Sequence, residues 1–76
     1  MKIGKARMWR LLTGEIGTIK VNGKPLYCEI NADEGVEFSY GKKKLFVSND
    51  IEENLVHTDA DCQRLCDRVN AFFGIE

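Results

Sequence analysis

The residues best suited to chemistry are one histidine and two cysteines in the stretch HTDADCQRLC, residues 57–66. Cys62 and Cys66 are four residues apart, so on a helix their side chains share one face. With His57 and Cys28 they supply the ligand types of a Cys₃His zinc site. A cysteine near a histidine is also the pair that a thiol nucleophile requires.

The spacing favours a structural interpretation. The spacing does not match the usual zinc knuckle, in which a tight turn supplies two ligands and a second element supplies two more. Both cysteines also fall on the same helical stripe as Leu65 and Val69. Free cysteine commonly behaves as a small buried hydrophobe, and this acidic segment disfavours a thiolate. We therefore expect core cysteines, no metal ligands, no cofactor and no catalytic residues, with a Cys/His metal-binding protein as the third hypothesis.

Residues 58–74 have the clearest helical pattern. Thr58 is a candidate N-cap, with Asp61 three residues later in a variant of the capping box. Gly74 and Ile75 suit the positions that end a helix with a left-handed residue. The pattern predicts an amphipathic C-terminal helix whose apolar stripe consists of Cys62, Leu65, Cys66, Val69, Phe72 and Phe73.

Two tight turns predict two β-hairpins. Asn22-Gly23 suits a type I′ turn, which sets Val21 opposite Lys24, and Gly41-Lys42 suits a type II′ turn. Pro25 lacks an N–H, so its strand lies at an edge or directs that position outward. Successive hairpins indicate an antiparallel meander of at least four strands.

The N-terminal segment is ambiguous between a strand and a helix. As a strand over residues 7–13 it places Arg7, Trp9 and Leu11 on one face and Met8, Arg10 and Leu12 on the other, whereas a helix gathers Met8, Trp9, Leu11 and Leu12 on one broad face. Gly14 and Gly17 suit a bent connection into the next hairpin, so we favour a fifth strand. The expected fold class is α+β: an antiparallel four- to five-stranded meander sheet with one C-terminal amphipathic helix packed on one face. Residues 1–76 form a single compact domain in this prediction.

Composition excludes several classes of protein. The longest apolar runs are triplets, so no membrane span is expected, and no signal-peptide core follows the first basic residues. Three cysteines do not suggest a disulfide framework, so we expect a cytoplasmic protein with reduced thiols. Charge changes along the chain, from +5 over residues 1–25 to −5 over residues 50–76.

One helix can cover only one face of such a sheet, which leaves the second face available to a partner. We predict that this sheet face binds another protein, or a second copy in a homodimer, through Trp9, Ile16, Thr18, Tyr27 and Phe46. If the N-terminal segment is instead a helix, it covers this face.

An acidic edge is the second candidate surface. It consists of Asp50, Glu52, Glu53, Asp59 and Asp61. Such a run docks on basic partners, although it is more commonly a solvated surface.

The leading function is therefore a small protein-binding module, such as an inhibitor, adaptor or accessory subunit. The alternative is a nucleic-acid-binding domain that uses basic residues of the N-terminal half and the second hairpin turn, namely Lys5, Arg7, Arg10, Lys42, Lys43 and Lys44. A pI of about 5.8 weighs against nucleic acid, because such domains normally carry a clear basic excess.

Overall fold

The computed structural model describes residues 1–31, 33–48 and 58–76. Six elements follow one another within these residues. They are α1 (Lys5–Leu12), β1 (Thr18–Val21), β2 (Lys24–Asn31), β3 (Gly35–Tyr40), β4 (Lys43–Ser48) and α2 (Asp59–Phe73). The α+β class, the antiparallel sheet and the C-terminal helix are confirmed.

The four strands form one antiparallel sheet in the order β1-β2-β3-β4. Asn22 has φ 51° and Gly23 φ 83°, which is the positive pair that a type I′ turn needs. In the second hairpin Gly41 has φ 62° whereas Lys42 is not in the positive-φ region, as a type II′ turn requires. Both hairpins therefore turn at the predicted residues, with the signs of φ that the predicted turn types need.

The hairpin register determines which side chains face the helices. Val21 pairs with Lys24 and Phe38 pairs with Leu45, as predicted. Pro25 lies in the inner strand β2, where the β2–β3 ladder starts only at Leu26, so its missing N–H costs no ladder bond. One face of the sheet thereby directs seven buried apolar side chains toward the helices: Ile19, Val21, Leu26, Val36, Phe38, Leu45 and Val47.

Both ends of α2 are capped as the sequence predicts. The backbone N–H of Asp61 donates to the Thr58 hydroxyl, and the Thr58 N–H donates back to the Asp61 carboxylate, which completes the capping box. At the other end Gly74 has φ 67°, and the Ile75 N–H donates to the Asn70 carbonyl oxygen at 2.8 Å. This Schellman arrangement buries Ile75 against the core.

The N-terminal segment is a helix, so the predicted fifth strand is wrong. Met8 and Leu11, three residues apart, are both fully buried, which is a helical rather than an alternating pattern. The segment KARMWRLL consists largely of good helix formers, and Gly14 at φ 78° follows the helix end. The two glycines that suggested a bent strand connection belong to the α1–β1 turn.

Both helices pack on the same face of the sheet. α1 contacts β2 and α2, and α2 contacts β4, so the helices lie side by side. One cluster of buried side chains includes residues from all six elements. Among the residues described, no helix has the length and apolar character needed to cross a membrane.

A buried asparagine joins the N-terminal segment to α2. The Ile3 N–H donates to Asn70 Oδ1 at 2.9 Å, and Asn70 Nδ2 donates to the Ile3 carbonyl oxygen at 3.2 Å. Asn70 is only 5 % exposed, although it is not part of the apolar stripe that the sequence predicts for this helix. The pair of bonds satisfies both backbone groups of Ile3, which water does not reach.

Candidate interaction surface

The face of the sheet opposite the helices is covered by no element among residues 1–31, 33–48 and 58–76, and we call it the open face. Two large aromatic side chains stand on it: Tyr27 is 55 % exposed and Phe46 is 48 % exposed. They belong to β2 and β4, with β3 between them. The N-terminal segment is a helix, which was the alternative expected to cover this face, but it packs on the other side, so the open face is exposed in the described structure.

Strand pairing arranges the open face into rows that run across the strands, of which two lie at its centre. We call them the tyrosine row and the glutamate row. The tyrosine row contains Thr18, Tyr27, Ser39 and Lys44. The glutamate row, two residues along each strand, contains Glu29, Glu37 and Phe46. Hydroxyls and a lysine therefore occupy one row, and two carboxylates occupy the next.

The two carboxylates of the glutamate row are direct cross-strand neighbours. Glu29 on β2 pairs with Glu37 on β3, which brings their Cβ atoms to about 5 Å in an antiparallel ladder. Neither forms an ion pair within the described part of the chain. Like charges that are direct cross-strand neighbours destabilise a sheet. The Glu29–Glu37 pair therefore lowers the stability of the fold, and neither side chain contributes to the core.

A shallow concavity of about 180 Å³ lies at this end of the open face. Its lining includes Glu29, Glu34, Glu37 and the ring of Phe46, together with Asn31 and Gly35. Carboxylates thus border an apolar ring. Such a surface suits a partner that offers hydrogen-bond donors beside an apolar group.

Replacing one of the paired glutamates is expected to stabilise the isolated chain. Glu37→Thr removes the like-charge pair and adds a β-branched residue, so the free energy of unfolding should rise by about 0.2–1 kcal/mol. Urea denaturation measures this directly. Glu34→Thr is the matched control, because it removes the same charge outside the ladder and should leave the stability nearly unchanged; an equal gain in both variants would contradict the pairwise explanation.

The structure brings three of the five predicted sheet-face residues together and moves two elsewhere. Thr18, Tyr27 and Phe46 are exposed on the open face. Trp9 lies on α1, where its Nε1 donates to an Asp59 carboxylate oxygen at 3.3 Å. Ile16 lies in the α1–β1 connection and packs against the core. Placing Trp9 and Ile16 on this face was wrong because both placements continued a strand pattern into segments that are not strands.

The acidic edge is only partly within the described residues. Asp50, Glu52 and Glu53 lie outside them. Asp59 accepts the Trp9 bond, and Asp61 completes the capping box and pairs with Arg64. The two described aspartates therefore support the start of α2 and its contact with α1.

The predicted basic residues do not share one surface. The Arg7 guanidinium donates to the Lys20 carbonyl oxygen at 3.3 Å, and Arg10 pairs with Glu15 at 3.1 Å. Lys43 and Lys44 point to opposite faces because they are adjacent in β4. Lys42 lies in the turn between β3 and β4, and Lys5 begins α1 on the helix side.

The three cysteines are free thiols on the helix side of the sheet. Cys62 and Cys66 are fully buried, as expected for core residues, and Cys28 is half-buried. Burial raises the pKa of Cys28 to about 11 and that of Cys66 to about 12, and it also raises the pKa of Cys62. All three are therefore neutral thiols near pH 7. His57 lies outside the described residues.

These raised pKa values predict a loss of stability in alkaline solution. The folded pKa of Cys66 is about 12 against an ordinary value of 9.0, so its contribution is complete below about pH 9 and declines as pH rises toward 12. At pH 10 this single thiol should cost about 1 kcal/mol. Urea denaturation at pH 8 and pH 10 measures the change. Cys66→Ala should show a smaller decline, and an identical decline would contradict the assignment.

Comparisons with protein-family models, curated protein sequences and solved structures find no match to this chain.

Proposed function

We propose that the protein is a non-enzymatic binding module that docks another protein on its open face. The exposed aromatic pair, Tyr27 and Phe46, carries this proposal. Aromatic side chains are enriched at protein interfaces, where their apolar bodies are buried and a tyrosine hydroxyl finds a polar partner.

The charges around the aromatic pair define the chemistry of the partner. The carboxylates of Glu29 and Glu37 can accept hydrogen bonds from hydroxyl, amide or cationic groups of a partner. The ammonium of Lys44 favours an aromatic ring or an acidic group of the partner. A flat protein surface with an apolar centre and donors along one side meets these requirements. A partner that places carboxylates over the glutamate row would be repelled.

Nucleic acid fits the same face less well. An open four-stranded sheet with exposed aromatic rings resembles, in outline, surfaces on which single-stranded bases stack. Here, however, Glu37 is the direct cross-strand neighbour of Phe46, so a phosphate near that ring would meet carboxylates. The dispersed lysines and the engaged arginines do not compensate for this repulsion.

The free cysteines favour a reducing compartment, since buried neutral thiols persist there without forming disulfides. We therefore expect the docking partner to be a cytoplasmic protein.

Site-specific photo-crosslinking in cells tests the proposed function. Benzoylphenylalanine in place of Ser39, at the centre of the open face, should give a discrete protein adduct. The same group in place of Gln63, on the exposed side of α2, is the matched control and should not. The adduct should also disappear when Tyr27→Thr and Phe46→Thr are added.

Three results would overturn the docking function: the absence of a discrete adduct from position 39, an adduct that survives loss of both aromatic residues, or an adduct that a nuclease removes. The last would assign the face to nucleic acid.

A further inference from the structure

Among aligned packings, in which the strands of the two copies run along one another, the open face is complementary to itself in one orientation only. Two identical sheet faces can pack about a two-fold axis that runs either along the strands or across them. An axis along the strands places each row of one copy opposite the same row of the second copy. It places Glu29 of one copy over Glu37 of the other, which adds interfacial repulsion to the like-charge pair already within each sheet.

An axis across the strands, between the two rows, exchanges the rows. Tyr27 then lies opposite Glu29 of the second copy, and Ser39 lies opposite Glu37 of the second copy. Each hydroxyl can donate to a carboxylate that has no ion-pair partner within the described chain.

The same axis places the Lys44 stem over Phe46 of the second copy and its ammonium beside Glu37 of that copy. The ammonium thereby meets both an aromatic ring and a carboxylate. Every charged group of the two rows is matched in this orientation.

We propose that two copies of this chain dock through their open faces about a two-fold axis that runs across the strands, with each tyrosine row on the other copy's glutamate row. This inference rests on the proposed function of the open face and names its partner. It accounts for the Glu29–Glu37 pair, which costs stability in the isolated sheet and meets two hydroxyls and a lysine in the dimer.

The size of the face determines how tightly the copies associate. With strands about 4.8 Å apart and rows about 6.8 Å apart, the face measures roughly 20 by 22 Å, or about 450 Å² per copy. The total of about 900 Å² lies below the range of about 1,200–2,000 Å² that is typical of stable complexes. The dimer is therefore expected to be weak and reversible, with a dissociation constant on the order of 100 µM.

A charge exchange between two variants tests the orientation. Lys44→Glu places a carboxylate beside Glu37 of the second copy, and Glu37→Lys places an ammonium beside Lys44 of the second copy. Each variant alone should dimerise about tenfold more weakly than the parent chain, because two new like-charge contacts form per dimer. An equimolar mixture should recover the parent affinity, because both contacts are then between opposite charges.

Sedimentation equilibrium from about 10 µM to 1 mM covers the expected range of association. Lys43→Glu is the matched control, since it makes the same charge change one residue away on the helix side and should leave dimerisation unchanged. Circular dichroism establishes that each variant is folded.

The dimer would be overturned if the parent chain were monomeric at about 1 mM, the highest concentration of the series. It would also be overturned if the single variants dimerised as tightly as the parent chain, or if their equimolar mixture dimerised no more tightly than each variant alone. The parent chain could be monomeric while benzoylphenylalanine at position 39 still forms an adduct with a different protein that depends on Tyr27 and Phe46. In that case the docking function stands and the dimer alone is wrong. If the parent chain is monomeric and position 39 gives no protein adduct, both the dimer and the docking function are wrong.

Discussion

Asn70→Ala is expected to lower the free energy of unfolding by about 2–4 kcal/mol, because it leaves the buried N–H and C=O groups of Ile3 without partners. Stabilities of small domains lie near the lower end of the usual range of about 5–15 kcal/mol, so the variant should retain only about 1–3 kcal/mol and unfold at a much lower urea concentration. Urea denaturation followed by circular dichroism measures the loss.

Two further variants separate the hydrogen bonds from general effects on the helix. Asn70→Asp keeps the acceptor for the Ile3 N–H but places a carboxylate oxygen against the Ile3 carbonyl, so it should be at least as destabilising as alanine. Gln63→Ala, on the exposed side of the same helix, should cost less than about 0.5 kcal/mol. If Asn70→Ala lowered the free energy of unfolding by less than about 1 kcal/mol, the two buried hydrogen bonds between Asn70 and Ile3 would not have the role described here.

The double variant Tyr27→Thr/Phe46→Thr is expected to abolish self-association while leaving the fold intact. In a two-fold dimer each substitution is present twice, so four aromatic contacts are lost at about 1 kcal/mol or more each. The association constant should fall by more than about 100-fold. Threonine retains strand propensity, so the free energy of unfolding should change by less than about 1 kcal/mol.

The control for this double variant is Phe72→Thr. Phe72 is a phenylalanine of similar exposure, 42 % against 48 % for Phe46, but it lies on α2. Its loss should leave association unchanged in sedimentation equilibrium. Equal weakening by Phe72→Thr would indicate that exposed aromatic residues associate without regard to face.

The sheet and the ends of α2 are predictable from sequence because their signals are local. Asn22-Gly23 and Gly41 fix backbone angles that few residues adopt, and a two-residue turn then fixes the register of each hairpin. Thr58 and Gly74 act in the same way on α2, since each satisfies particular backbone groups within a few residues.

The N-terminal helix and the role of Asn70 are less accessible because they depend on tertiary contacts. A segment of eight residues with alternating and helical patterns in balance is decided by what it packs against, here α2 and β2. Asn70 lies about 40° from Cys66 on a helical wheel, so it borders the apolar stripe. The sequence does not reveal that the backbone of Ile3 lies opposite that border.

The open face is an intermediate case. The hairpin registers predict that Tyr27 and Phe46 share a face, and they also place Glu29 and Glu37 on that face. That the face is open follows only from both helices packing on the other side of the sheet, which no local signal determines. Because the face is open, the carboxylates of Glu29 and Glu37 are available to a partner.

A dilution series of amide ¹H–¹⁵N spectra tests the central claim most directly, namely that the open face is the docking surface and that a second copy fits it. Between about 20 µM and 1 mM, chemical shifts should move for Tyr27, Glu37 and Phe46 and stay constant for Gln63 and Arg68 on the exposed side of α2. Shifts that move on α2 instead, or spectra that are identical at all concentrations, would contradict the account.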